Sequence, residues 1–236
     1  MNNIINKNLD IAHYQNLLTL NSRVQIPDFL NPDIANSLRL CLLNDTPWDL
    51  TFFEGGKGNK LTPKDIAEMS DQDISEKING IINCSPTEYQ FLYDSYMIVT
   101  AYLEGRNQGH LLHQFLEAIN SPTFLDVMKR LTSDPSLLKL DSQGTRYAKG
   151  HFLKEHIDAD SNEGRRFAYV LNLSKNWKPD WGGLLHFNNE DIVIDTLMPK
   201  FNSMSIFEVP QKHFVSSVTG FAGEHRISLT GWMYNK

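Results

Sequence analysis

The chain has 236 residues, of which 41% are hydrophobic and 21% charged, as is typical of a folded globular protein. Its formal net charge of −6 argues against a nucleic-acid partner and against binding to an anionic membrane surface. No apolar run approaches the ~20 residues of a membrane helix, and the first residues lack the basic start and apolar stretch of a signal peptide, so we expect a cytoplasmic protein.

The first 140 residues carry mostly helix signals. In three places a capping residue is followed directly by proline and then by apolar residues at helical spacing, which predicts the start of a helix. These pairs are Asn31 and Pro32, Thr62 and Pro63, and Ser121 and Pro122. The apolar, β-branched run at residues 96–103 predicts a strand. The glycine-rich segment at residues 52–60 is expected to be a mobile loop, placed to act as a lid over a substrate.

From about residue 140 the pattern changes to short period-two runs separated by turn residues. The run "RRFAYVLNLS" places Phe167, Tyr169 and Leu171 on one face of a strand and Ala168 and Val170 on the other. Several such runs predict a sandwich or barrel. We therefore expect a mainly β fold with α: a double-stranded β-helix (jelly roll) core in residues 141–236, with residues 1–140 as a helical support layer and lid loop. The whole of residues 1–236 would form one domain, and its two cysteines, Cys41 and Cys84, would be reduced.

A histidine and a carboxylate stand two residues apart in "GHFLKEHIDAD". On a strand His156 and Asp158 would project to the same face, which makes them half of a metal site. His213, 55 residues after Asp158 and just past the run "SIFEVP", is the candidate for a third ligand. Two histidines and one carboxylate occupy one face of an octahedron, as in non-haem Fe(II) oxygenases. Each residue alone also has a plainer interpretation as a surface or loop side chain.

An arginine in the last strand strengthens the metal-site interpretation. In "HRISLTGWMY", period two places Arg226, Ser228 and Trp232 on the face opposite Ile227 and Leu229. If the apolar face packs outward on the helices, Arg226 points inward, where a buried guanidinium requires an anionic partner such as a carboxylate ligand. The alternative is a surface ion pair with Glu224 or Glu208.

Four ordered motifs, "HFLKEHID", "GRRFAYVLNLSKNWKPDWGGLLHF", "SIFEVPQKHFVSSV" and "HRISLTGWMY", resemble a known family. It is that of the 2-oxoglutarate- and Fe(II)-dependent oxygenases of the prolyl 4-hydroxylase class. Within this class the motifs are most similar to the branch that hydroxylates a proline of a small-subunit ribosomal protein. The resemblance covers residues 140–236 and, more loosely, the leader "RVQIPDFLNPDIANSL".

The resemblance implies a role for each motif residue. His156, Asp158 and His213 would bind Fe(II), and Arg226, helped by Ser228, would bind the distal carboxylate of 2-oxoglutarate. The remaining implied positions are Tyr147 as a hydrogen-bond partner of the co-substrate, Trp181, Gly182 and Gly183 as a tight turn, and Asn172 where many relatives carry an inward tyrosine near the co-substrate. The implied cofactors are Fe(II) and the co-substrate 2-oxoglutarate, with ascorbate as a further candidate.

The expected reaction is hydroxylation of a C–H bond of a prolyl residue in a protein or peptide, with oxidative decarboxylation of 2-oxoglutarate to succinate and CO2. Two alternatives stay open: the same chemistry on a free amino acid or other small metabolite, and a metal-binding jelly roll without oxygenase activity. Neither a nucleic acid nor a membrane is an expected partner. The other histidines are not assigned to the metal: His110, His113, His151, His186 and His225.

Overall fold

The computed structural model describes residues 4–84, 88–158 and 164–236. Within these ranges there are seven α-helices and thirteen strands. The helices are α1 (Ile11–Asn21), α2 (Pro32–Asn44), α3 (Pro63–Ala67), α4 (Asp71–Cys84), α5 (Ile98–Leu103), α6 (Leu111–Ile119) and α7 (Pro122–Thr132). The strands are β1 (Arg23–Ile26), β2 (Asp49–Glu54), β3 (Lys57–Leu61), β4 (Phe91–Met97), β5 (Lys139–Leu140), β6 (Gln143–Tyr147), β7 (Phe152–Ile157), β8 (Arg165–Asn172), β9 (Leu185–Asn189), β10 (Ile192–Leu197), β11 (Ser203–Glu208), β12 (Lys212–Val215) and β13 (Arg226–Tyr234).

The three helices predicted from cap-plus-proline pairs are confirmed. In α2 the Asn31 side chain accepts from the backbone N–H of Asp33, and in α7 the Ser121 hydroxyl accepts from that of Phe124. Thr62 forms a reciprocal capping box at the start of α3. Each cap satisfies a backbone donor that the first helical turn leaves without a partner.

The thirteen strands form one antiparallel sheet in the order β1-β11-β8-β13-β6-β4-β7-β12-β9-β10, with β2, β3 and β5 as side branches. Its two end strands meet. Arg23 on β1 lies 2.8 Å from Asp195 on β10, and the Gln25 amide donates to the carbonyl of Met198. The sheet therefore curls into a nearly closed barrel, and the predicted mainly β fold is confirmed.

The helices cover the outer face of one wall of this barrel. Tyr169 and Leu171 of β8 and Leu229 of β13 are buried in the same cluster as Leu38 of α2 and Phe115 of α6. Burying each such side chain contributes about 1.5–3 kcal/mol to folding. The alternate residues of β8, Ala168 and Val170, face the barrel interior, as predicted from the two-residue period of a strand.

Two predictions for the N-terminal part are wrong in their secondary structure. The run at residues 96–103 is not a strand: β4 ends at Met97 and α5 follows. Ile98 and Ala101, three residues apart, are both buried, so helical spacing suits these side chains better than alternation does. Residues 52–60 are not an irregular loop but the β2–β3 hairpin. Gly55 and Gly56 form its two-residue turn at φ angles of 61° and 77°, a conformation that glycine adopts without strain.

No disulfide links Cys41 to Cys84. Burial raises the pKa of the Cys41 thiol to about 11, which keeps it protonated and unreactive at neutral pH. None of the helices in the described ranges is long and apolar enough to span a bilayer.

Candidate metal and co-substrate site

The structure brings the three predicted metal ligands together. His156 lies on β7, Asp158 follows the end of that strand, and His213 on β12 is the antiparallel register partner of His156. Asp158 Oδ1 is 3.6 Å from His156 Nε2, and Asp158 Oδ2 is 3.7 Å from His213 Nε2. Each residue offers one ligand atom to a group that fits within 4.8 Å. It is the one such group of three or more potential ligands that the described residues form.

Backbone carbonyls fix the orientation of both imidazoles. The Nδ1 of His156 lies 3.0 Å from the carbonyl oxygen of Lys154, and the Nδ1 of His213 lies 2.9 Å from that of Gln211. If each Nδ1 carries the proton and donates it to the carbonyl, each Nε2 keeps its lone pair for a cation. The bulge between His213 and Val215 adjusts the register at this point of the β7–β12 pair.

Burial and neighbouring charges keep His213 and Asp158 in the protonation states that bind metal. Burial, followed by the neighbouring His156, lowers the pKa of His213 to about 4. Burial alone would raise the pKa of Asp158, but the hydrogen bond to His156 and the adjacent imidazoles outweigh it and lower that pKa. At neutral pH the site therefore offers a neutral imidazole at His213 and an ionised carboxylate at Asp158.

Arg226 faces the barrel interior at the start of β13, as predicted. It is only 2% exposed, and its guanidinium lies 4.9 Å from the ring centroid of Tyr147, its register partner on β6. Its Nε has no hydrogen-bond partner within the described residues. Of the two alternative partners considered from sequence, Glu224 is paired with Arg39 instead, and no ion pair joins Glu208 to Arg226 within the described residues. An inward, buried guanidinium without a carboxylate is the donor set that an anionic ligand requires.

The other two candidate co-substrate residues are Ser228, two residues after Arg226 on β13, and Asn172 on β8. Ser228 and Asn172 oppose each other on β13 and β8. The Ser228 hydroxyl is 2.8 Å from that of Thr145, and the Asn172 amide reaches Ser203 at 3.4 Å. Thr145, rather than Ser228 or Asn172, lines the cavity at this level.

The tight turn predicted at Trp181–Gly183 packs behind Arg226. Both glycines have positive φ angles, 67° at Gly182 and 63° at Gly183. A Cβ on Gly182 would lie 2.0 Å from the carbonyl oxygen of Ser217, and one on Gly183 would lie 3.1 Å from Cδ of Arg226. Only glycine lets the chain pass this close to the arginine.

The three predicted metal ligands and Arg226 line the same cavity, which has a volume of about 280 Å³. This volume is just below the range of about 300–1,000 Å³ for small-molecule sites. A larger groove of about 660 Å³ lies between α5, α6 and the end of β13, but it is lined mainly by apolar groups and holds none of the ligand residues. The chemistry therefore places the functional site in the smaller cavity.

Sequence reasoning missed the aromatic wall of this cavity. Tyr89, Phe91 and Tyr93 line it from β4 and from the residues just before that strand, and Tyr93 stacks on Tyr147 with ring centroids 5.2 Å apart. The signal was present in "EYQFLY", where aromatic residues recur at every second position. Arg165, whose guanidinium lies 4.2 Å from the Trp232 ring centroid, was also missed.

Comparison with known proteins assigns this site to a class. Residues 142–234 match the sequence model of the 2OG-Fe(II) oxygenase superfamily. This range includes Tyr147, the three predicted metal ligands and Arg226. Residues 142–234 are therefore similar to a 2OG-Fe(II) oxygenase domain, and the resemblance seen in the four motifs is confirmed over this range. The superfamily's cofactors, Fe(II) and 2-oxoglutarate, fit the ligand geometry and the buried guanidinium described above.

One curated relative is named as a prolyl hydroxylase. The chain is 36% identical over 140 residues to "Prolyl 3-hydroxylase OGFOD1" of Xenopus laevis, a match that covers 56% of this chain and 26% of the frog protein. It therefore spans about a quarter of that relative's length.

Solved structures share the fold at lower identity. A Pseudomonas putida prolyl-4-hydroxylase superposes with a TM-score of 0.61 at 18% identity, covering 96% of this chain and 99% of the other. A prolyl hydroxylase from Trichoplax adhaerens, solved with a peptide fragment of the hypoxia inducible factor oxygen degradation domain, gives 0.61 at 17% identity, covering 95% and 89%. The predicted jelly-roll architecture is confirmed by these superpositions.

Proposed function

We propose that this protein is an Fe(II)- and 2-oxoglutarate-dependent dioxygenase that hydroxylates a prolyl residue of a protein or peptide substrate, with residues 1–236 acting as one oxygenase domain. The observation that carries the proposal is the convergence of His156, Asp158 and His213 in a cavity whose wall also holds the buried Arg226 guanidinium. A metal-binding jelly roll without oxygenase activity would have no use for that guanidinium.

In this proposal the protein residues bind and orient, while the oxidation is supplied by the bound metal and co-substrate. His156, Asp158 and His213 would hold Fe(II), which with the 2-oxo acid would supply the oxidation. Arg226 binds the distal carboxylate of 2-oxoglutarate with its planar fork, and the neighbouring Tyr147 donates its hydroxyl to the same ligand. Burial raises the pKa of Tyr147 to about 12, so the hydroxyl keeps its proton at neutral pH.

The proposed substrate class comes from the relatives. The name of the frog relative states prolyl 3-hydroxylation, and the Trichoplax structure contains a peptide in its complex. Both support a prolyl residue within a polypeptide over a free amino acid. The frog relative favours carbon 3 of the ring as the site of hydroxylation.

The test is incubation of the protein with Fe(II), 2-oxoglutarate, ascorbate and proline-containing peptides, followed by mass spectrometry. The proposal predicts a peptide that gains the mass of one oxygen atom, with one succinate formed per hydroxylation. Amino-acid analysis of the product then distinguishes 3-hydroxyproline from 4-hydroxyproline. Hydroxylation of free proline but of no peptide would favour the small-metabolite alternative. Metal binding without any succinate would favour the non-oxygenase alternative.

A further inference from the structure

The groove of about 660 Å³ between α5, α6 and the end of β13 lies apart from the proposed catalytic cavity, with which it shares no lining residue among those described. Its floor is apolar, because Leu116 of α6 and Leu140 of β5 reach it as buried side chains. A mainly apolar concave surface of this size is typical of a place where another molecule binds. The proposed ligands of the metal and the co-substrate all lie elsewhere, so the proposed reaction does not explain this groove.

A protruding leucine stands at the rim of the groove. Leu103, the last residue of α5, lines the groove and is nevertheless 78% exposed, and the adjacent Tyr102 is 42% exposed. Both side chains pack little against their own chain, so their contact with water is relieved only when a partner covers them. The same surface thus carries a projecting apolar side chain and a recess that an apolar side chain can enter.

The strand at the floor of the groove is not open to a further strand. Asn120, which follows α6, donates from its amide to the carbonyl of Leu140 at 2.8 Å and accepts from the N–H of Leu140 at 2.9 Å. This pair of hydrogen bonds occupies the backbone groups that an added strand would need. Recognition at the groove therefore depends on side chains.

Two charged side chains on different walls of the groove have no ion-pair partner within the described residues. On the helical wall, Glu117 of α6 accepts a hydrogen bond from the Tyr102 hydroxyl at 2.9 Å. On the strand wall, the Lys139 ammonium lies 5.5 Å from the centroid of the Tyr234 ring. These contacts hold the two side chains at the groove without neutralising their charges.

The third charged side chain of the groove serves the fold. Asp141 accepts from the backbone N–H of Trp232 at 2.7 Å and from the hydroxyl of Tyr234 at 2.6 Å, one bond to each carboxylate oxygen. A partner therefore meets one carboxylate, at Glu117, and one ammonium, at Lys139. A ligand with a single charge, such as a fatty acid, would match one of these groups and leave the other without a counter-charge.

We propose that this groove is a homodimer interface, in which two copies of the chain associate about a two-fold axis. Leu103 of each copy enters the groove of the other, and Lys139 of each copy pairs with Glu117 of the other. A two-fold interface brings the same surface together twice, so it must be complementary to itself. A protrusion beside a recess, and one charge of each sign, meet that requirement. This inference does not depend on the proposed function.

The test is sedimentation velocity on the full chain at loading concentrations from about 1 to about 200 µM, which bracket the dissociation constant of a small, transient interface. The wild type is expected to shift from monomer to dimer over this range. Leu103→Glu should weaken the dimer by at least about tenfold, because it introduces two buried carboxylates per dimer. The control is Leu20→Glu, at an equally exposed leucine of α1 that lies outside the groove, and it should dimerise as the wild type does.

A charge exchange separates the interface from any effect on folding. Lys139→Glu puts a carboxylate at both contact positions and Glu117→Lys puts an ammonium at both, so each variant alone should dimerise at least about tenfold more weakly than the wild type. An equimolar mixture of the two variants restores opposite charges at both contacts and should associate with an affinity within about threefold of the wild type. A variant that had lost its fold could not regain affinity in the mixture.

The inference is overturned if the wild type stays monomeric at every concentration, which would leave the groove to a partner of another kind. It is also overturned if Leu103→Glu dimerises as Leu20→Glu does, since the interface would then lie elsewhere on the chain. Failure of the mixture to associate better than either variant alone would refute the pairing of Lys139 with Glu117 across a two-fold axis.

Discussion

Replacing Arg226 by Gln tests whether the buried guanidinium binds the co-substrate. Arg226 is 2% exposed, and a bidentate pair with a carboxylate would form two charge-assisted hydrogen bonds in a site closed to water. Such bonds contribute about 1.5–3 kcal/mol each. A glutamine amide keeps one neutral donor, so the expected loss is about 3 kcal/mol. That loss corresponds to roughly a hundredfold increase in the dissociation constant of 2-oxoglutarate.

The assay is isothermal titration of 2-oxoglutarate into protein loaded with Mn(II), which occupies the same kind of ligand set as Fe(II) without supporting turnover. Mn(II) affinity of the variant should equal that of the wild type, because the metal ligands lie on other strands. The control is Arg146→Gln: this residue precedes Tyr147 on β6, but its side chain points to the other face and pairs with Asp94 at 2.7 Å. If Arg226→Gln binds 2-oxoglutarate within about threefold of the wild type while the protein remains folded, the assignment of the guanidinium is refuted.

Three further predictions concern stability and packing around the same site. Because burial lowers the pKa of the Arg226 guanidinium and no carboxylate in the described ranges pairs with it, Arg226→Met should raise the free energy of unfolding of the metal-free protein by about 1 kcal/mol or more in urea titrations. A decrease would mean that a partner compensates the charge. Gly183→Ala should cost about 1–2 kcal/mol from its positive φ and should weaken 2-oxoglutarate several-fold by displacing Arg226, while Gly80→Ala on α4, with open space around it, should be neutral or stabilising. An unchanged affinity for 2-oxoglutarate would show that the turn does not position Arg226. Since the pKa of His213 is lowered from 6.5 to about 4, the unfolded chain binds the proton first, and the metal-free protein should lose stability as the pH falls from about 6.5 to about 4. His213→Gln should reduce the change of the free energy of unfolding with pH over this range, whereas His13→Gln, on the surface of α1, should not.

The site was predictable because its residues follow strand alternation. His156 and Asp158 were placed on one face by period two, and Arg226 was placed opposite the apolar face of β13. Both predictions needed only the pattern along one strand. The pairing of β7 with β12, which brings His213 to His156, is a long-range contact that the pattern along one strand does not give. His213 was proposed as the third ligand from its place after the run "SIFEVP", and the resemblance then implied the same role.

The errors lie where local pattern does not decide the structure. The run at residues 96–103 has the composition of a strand, yet only the burial of Ile98 and Ala101 against the helical layer makes its second part a helix. The segment at residues 52–60 has the glycines of a loop, but two adjacent glycines also suit the turn of a hairpin. That hairpin places Phe53 beside Tyr89 and Phe91, so missing it also concealed a ring that packs on the aromatic wall of the cavity.

The roles expected of Ser228 and Asn172 illustrate a different limit. Both face inward, as alternation predicts, but their polar groups bond to Thr145 and Ser203 on neighbouring strands. Which of several inward hydroxyls lines a cavity depends on the curvature of the barrel, which one sequence does not give. The co-substrate roles of these two residues stay predictions.

The most direct test of the account is a metal titration under nitrogen, in which the electron paramagnetic resonance signal of free Mn(II) reports binding. If His156, Asp158 and His213 surround one cation, the wild-type protein will bind one equivalent. Asp158→Ala and His213→Ala will show no saturable binding, and His186→Ala will match the wild type. Wild-type protein that binds no metal, or ligand variants that bind one equivalent as tightly as the wild type, would contradict the account.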